Sequence, residues 1–304
     1  MEIESLSLGE SVRLILRHGR LRQRGIQVFR AALREFFLPQ FQSRLFPHIR
    51  PVAVISHPVD DCLPFMPGLF RRYLAYFSLW LRTLSSLYRM YGQIVLGDIE
   101  MMMLDIIRLY EVSGQVYRRC QSTTTSRRSA PASPYFLLVA VFDPHLHCIP
   151  SLHILTICYN YHRTRQITAR LDPGGLSSRR LTAGTYAAAL RITEAVLLVK
   201  QHSLLDIGPS LFLLSRMFPD FDEGEIRRFV SDLFADTSLV DRHTARRVRA
   251  VILASYQHLQ SLQRKIGKCP ATDVLLVYLE EIARGSGGSA KMTPSTLPRR
   301  QGGS

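Results

Sequence analysis

The stretch from Leu69 to Arg119 carries two consecutive apolar stripes at helical spacing, and any fold for this chain must cover both. Leu69, Tyr73, Tyr76, Phe77, Trp80, Leu84, Leu87, Tyr88 and Tyr91 recur three and four apart. Val95, Ile99, Met102, Met103, Ile106, Leu109, Tyr110, Val116 and Tyr117 repeat the pattern after a break bracketed by Gly92 and Gly97. Such spacing predicts an αα-hairpin of two long amphipathic helices. Arg71, Arg72, Arg82 and Arg89 interrupt the first half and Asp98, Glu100 and Asp105 the second. Neither half therefore reads as a membrane span.

The rest of the chain divides around this hairpin into a mainly α protein, a multi-helix bundle with one small β element. Residues 8 to 38 read as an opening helix that Pro39 ends or kinks. Five prolines between 47 and 68 mark a connector, with an edge strand available at Val52 to Ile55. Residues 121 to 134 are Ser, Thr, Pro and Arg with little apolar content, which predicts an exposed linker between a helical region, 1–120, and a second region, 135–284. Tyr135 to Phe142 and Leu152 to Tyr159 are rich in branched and aromatic residues and predict a β-hairpin, joined by Asp143-Pro144 and Ile149-Pro150. A polar loop is expected from Leu171 to Gly184, then helices at Tyr186–Gln201, Leu211–Met217, a helix capped by Asp222, a long one from Asp241 to Ile266, and Thr272–Ala283. Residues 285–304 read as a disordered tail.

Charge is the other strong signal. Thirty-nine Lys and Arg stand against 24 Asp and Glu, for a formal net charge of +15 and a pI near 10.1. Such a field suits acidic protein surfaces, nucleic acid or anionic membrane. Arg13, Arg17, Arg20 and Arg24 fall on one face of a continuous opening helix, the candidate surface for an acidic partner, while Ile26, Phe29, Leu33, Phe36 and Phe37 line another. Arg242, Arg246 and Arg249 share a second basic face, opposite the near-heptad stripe Ala245, Val248, Ile252, Ser255, Leu259, Leu262 and Ile266. No helix-turn-helix, zinc-finger or RRM pattern accompanies the arginines, so any nucleic-acid contact is expected to be non-specific.

Chemistry is sparsely signalled. The five cysteines are scattered without a CxxC, which fits free thiols in a reducing compartment, and the acidic N-terminus lacks the pattern of a signal peptide. His145, His147, Cys148, His153, Cys158 and His162 are the right types for zinc. Alternation along strands would send His153 and Cys158 to opposite sides, so the run reads as structural, and no metal, cofactor or catalytic residue is assigned. A G-x-S-x-G elbow and a Walker-type loop are both missing from the sequence.

The segment Leu33-Arg34-Glu35-Phe36-Phe37-Leu38-Pro39-Gln40, the Tyr- and Met-rich hairpin from Arg71 to Tyr117 and a size near three hundred residues resemble the herpesvirus late-gene transcription regulators of the beta and gamma subfamilies. The resemblance covers most of the chain up to the tail. It implies a non-enzymatic factor of the host nucleus, acting with other viral late-transcription factors and host RNA polymerase II in a viral pre-initiation assembly. It assigns no catalytic residues. A tegument or capsid-associated structural protein of a large DNA virus is the alternative, and a metal-dependent nucleic-acid enzyme using residues 145 to 162 a third reading.

Overall fold

The computed structural model describes residues 7–46, 49–125, 145–236 and 238–285. Helices α1 (Leu8–Arg17), α2 (Gly19–Ala32) and α3 (Leu38–Leu45) precede strand β1 (Val52–Ile55). The two long helices are α4 (Phe70–Tyr91) and α5 (Leu96–Arg119), followed by β2 (Gln121–Thr124). Then come α6 (Leu152–Leu171), α7 (Leu176–Leu198), α8 (Ile207–Met217), α9 (Glu223–Asp232), α10 (Arg242–Ile266) and α11 (Ala271–Gly285). The mainly α expectation holds. Among the described residues no helix is long and apolar enough to cross a membrane.

Both predicted hairpin helices form, and a single 3₁₀ turn, Gly92–Val95, joins them. Gly92 takes φ +61°, a backbone state that costs other L-residues energy. Yet α4 and α5 do not pack along their lengths. Helix α6 lies between them, packing on both and on α7 and α8 as well. Every residue from Leu152 to His162 is buried.

That burial overturns the strand expected at Leu152–Tyr159. A helix enclosed on all sides needs no polar face, so its apolar run carries no 3.6-residue rhythm and imitates a buried strand. The partner strand expected at Tyr135–Phe142 lies outside the described residues, as do 126–134 of the expected linker and 286–304 of the expected tail. Gln121–Thr124 is no exposed linker. It forms β2, which pairs in parallel with β1 in the register Val52↔Gln121 to Ile55↔Thr124, with Gln121 and Ser122 fully buried. The edge strand read at Val52–Ile55 is thus present. Buried residues from Leu14 to Ala283 join in one core.

Two helix limits also differ from expectation. The polar loop shrinks to Asp172–Gly175, because α7 already begins at Leu176 and its Ser178 hydroxyl donates to Asp172 Oδ2 (2.7 Å). The opening helix breaks at His18, whose extended backbone (φ −105°, ψ 115°) ends α1 and caps α2 while its ring meets Tyr88 edge-on at 5.6 Å. Pro39, by contrast, ends nothing. A π-helical turn, Leu33–Phe37, lets the Leu38 N–H donate to the Leu33 carbonyl and re-registers the ladder, so Pro39 falls in the first turn of α3, where its missing N–H is harmless.

Candidate functional site

The N-terminal helices are held to the body by a few specific contacts. On α1, Ser11 donates to the Leu81 carbonyl (2.7 Å), shares a hydrogen bond with Ser85 (2.9 Å), and Leu14 is buried beside it. On α2, Leu21 and Ala31 are buried and the helix packs on α5. The carboxylate of Glu35, 3% exposed, is clamped between Arg34 (2.6 Å) and Arg118. Phe36 is buried against Tyr117 and His147. Of the rest of the expected apolar stripe, Phe37 is half-buried against the core, while Ile26 (51% exposed), Phe29 (69%) and Leu33 (43%) face outward, joined by Leu38 at 46%. Leu33 and Leu38 also border a groove of about 570 Å³ shared with Arg30, Arg34, Leu104 and Ile107.

The break at His18 divides the predicted basic face. Arg13 and Arg17 stand on α1, beside a cavity of about 420 Å³ that includes His18, Tyr88 and the Glu10–Arg89 ion pair (2.6 Å). Arg20 is exposed on α2, whereas Arg24 is turned inward to Glu100 (3.0 Å) and Gln27 (2.9 Å). Among the described residues the side chains of Arg13, Arg17, Arg20, Arg22 and Arg30 have neither an ion-pair nor a hydrogen-bond partner. Exposed apolar side chains and unmatched cations therefore share one end of the molecule.

No family model, curated protein or solved structure matches this chain.

The second predicted basic face does assemble. Arg242, Arg246 and Arg249 line a cavity of about 300 Å³ with Ser231, Phe234, Ala235 and Ala245. Part of their role is local, since Arg249 Nε donates to the Leu233 carbonyl (2.7 Å) at the end of α9. The stripe from Ala245 to Leu262 is buried as expected, and Ile266 at its end is 39% exposed.

The histidine and cysteine run is redistributed. His147 stacks on Tyr117 at 3.8 Å between ring centroids, and His162 bonds Glu225 (3.1 Å). Cys158 is buried alone on α6, which drives its thiol pKa upward, with Glu225 adding to the effect. Cys148, however, meets two residues that the sequence reading did not connect to it, His202 and Asp206, and one donor atom of each lies within 4.8 Å of the others. The rings of His145 and His153 stand 5.3 and 5.0 Å from that of His202. Burial raises Asp206 to about 6 despite the hydrogen bond from His202 Nδ1 (2.6 Å). Asp60 fixes the neighbouring turn by accepting from the Ser203 hydroxyl (2.7 Å) and the Leu204 N–H (2.9 Å). The one available signal was the polar run Lys200-Gln201-His202-Ser203, set between apolar neighbours more than fifty positions from Cys148.

Proposed function

We propose that this chain is a non-enzymatic helical scaffold subunit, working as a regulator of late gene transcription within a viral assembly around RNA polymerase II. The observation that carries the reading is the solvent-facing stripe Ile26, Phe29, Leu33 and Leu38, edged by unmatched arginines. A contiguous exposed apolar patch rimmed by charge is characteristic of a protein-binding surface. Its occupant is an amphipathic, acidic helix of a partner subunit, whose apolar side would cover Phe29 and whose carboxylates would meet Arg20, Arg22 and Arg30. The segment Leu33–Gln40, which carries the resemblance to the late-gene regulators, also supplies Leu33, Arg34 and Leu38 to the groove. Direct nucleic-acid contact, in this reading, is confined to phosphates and secondary.

The test is affinity purification of the tagged chain from infected cells, comparing wild type with the double variant Ile26→Asp, Phe29→Asp. Both positions are exposed, so the fold should survive. Polymerase II subunits and viral transcription factors are expected with the wild type and lost with the variant. Recovery of capsid or tegument proteins instead, together with the chain's presence in purified virions, would replace this reading with a structural one. Unchanged recovery of transcription partners by the double variant would remove the docking surface from it.

A further inference from the structure

Cys148, His202 and Asp206 come from two separate turns, yet each is almost wholly enclosed, at 1%, 4% and 0% exposure. Cys148 is placed by the strip that runs beside β2, where its N–H donates to the Ser122 carbonyl (3.2 Å) and the Ile149 N–H donates to Ser122 Oγ (2.7 Å). His202 and Asp206 are placed by the turn that Asp60 and the Ser203 cap hold in shape. Two atoms in this group, His202 Nε2 and Asp206 Oδ1, are buried without a hydrogen-bond partner among the described residues. Folded proteins rarely leave an imidazole nitrogen and a carboxylate oxygen of neighbouring groups in that condition, and the usual reasons are a missing water or ion.

We propose that Cys148, His202 and Asp206 bind a zinc ion, with the flanking ring of His145 or His153 completing a four-coordinate structural site. Thiolate, imidazole and carboxylate together are the donor set of a borderline-soft divalent ion, and zinc accepts all three. Ligands at 2.0–2.3 Å around a tetrahedral ion lie about 3.3–3.8 Å from one another. Donors already within 4.8 Å need to close by at most about 1.5 Å to reach that geometry. The ion would neutralise a buried thiolate and a buried carboxylate at once. It would also cross-link the turn before α6 to the turn before α8, fixing the entry of the central helix. The near-complete burial of all three side chains favours a closed structural site over a catalytic one. It also denies a substrate to the same three residues acting as a nucleophilic triad. This inference is independent of the partner surface on α2.

The test begins with full-length protein purified without chelator. Elemental analysis should give about one zinc per chain. After zinc removal, titration with cobalt(II) should produce tetrahedral d–d bands together with a thiolate-to-cobalt charge-transfer band. Cys148→Ser should abolish the charge-transfer band, while Cys158→Ser should keep it. Should Cys148→Ser fail to fold, the wild type still decides: X-ray absorption at the zinc edge should show one sulfur ligand at about 2.3 Å beside nitrogen and oxygen ligands. Folded wild-type protein that carries no zinc and gives no cobalt spectrum would overturn the proposal. So would a charge-transfer band that survives in Cys148→Ser, or an absorption spectrum of the bound zinc that shows no sulfur ligand.

Discussion

The hydroxyl of Tyr159 donates to Asp105 Oδ2 across 2.7 Å, with both side chains buried, and this bond ties the central helix α6 to α5. The next residue, Asn160, donates to Thr83 Oγ1 (3.0 Å) and ties the same helix to α4. Adjacent positions on α6 thus hold the two long helices apart and in place. Tyr159→Phe removes the donor and leaves Asp105 with Arg108 alone among its described partners (3.1 Å). The expected loss is about 1.5–3 kcal/mol, the range for hydrogen bonds to charged groups. Urea denaturation of wild type and variant measures it, and an unchanged midpoint would refute it.

Gly114 is required by the Glu35 clamp. A Cβ there would lie 2.9 Å from the Cβ of Glu35 and overlap its carboxylate. On an exposed helix Gly→Ala would stabilise by up to about 1 kcal/mol. Here overpacking wins, and Gly114→Ala should destabilise by roughly 1–3 kcal/mol. A lowered Tm is the expected result, and a raised one would show that Glu35 moves aside freely.

The four N-terminal arginines should separate into two classes. Arg24 and Glu100 form a half-buried pair, with side chains 27% and 19% exposed. Arg24→Gln should therefore lower stability by up to about 1 kcal/mol. The triple variant Arg13→Gln, Arg17→Gln, Arg20→Gln should leave stability nearly unchanged, since relief of like-charge repulsion offsets any lost contact. The same triple change should weaken non-specific DNA binding and flatten its salt dependence, read by fluorescence anisotropy across a salt series.

Glu194 supplies a pH signature. Its Oε1 accepts from the Phe234 N–H (2.6 Å), and burial nevertheless raises its pKa above the ordinary value. A carboxyl that binds its proton more tightly when folded favours the native state at low pH. That advantage fades as pH rises from the ordinary glutamate value through the raised one. Glu194→Gln keeps an acceptor and never ionises. Its Tm should match wild type below the ordinary carboxylate range and exceed it at neutral pH, and a pH-independent difference would exclude this cause.

Thiol reactivity should follow burial. Cys62 is exposed, with Arg247 Nη1 donating to its sulfur (3.4 Å). Burial pushes Cys120 up to about 12, which cuts its thiolate fraction at pH 8 by about three orders of magnitude relative to an ordinary thiol. Mass spectrometry after brief iodoacetamide treatment of native protein should find Cys62 modified and Cys120 intact. Equal labelling would mean that β2 opens readily.

Local pattern was enough to specify α4, α5, the Asp222-capped α9 and the buried stripe of α10, because each presents one face to the core and one to water. It also specified the positive surface, since arginine is rarely buried without a partner. Periodicity does not distinguish a helix enclosed on every side from a strand, so only the neighbours of α6 settle that Leu152–Tyr159 is helical. The same limit applied to Ile26, Phe29 and Leu33, whose spacing marks an apolar face but not whether the molecule covers it. His202 and Asp206 meet Cys148 because α7 packs back along α6 and returns the chain to the end of α6 that Cys148 precedes. Periodicity reports the contrast between a segment's two sides. The meeting of two turns distant in sequence leaves no such trace, and tertiary structure alone decided it.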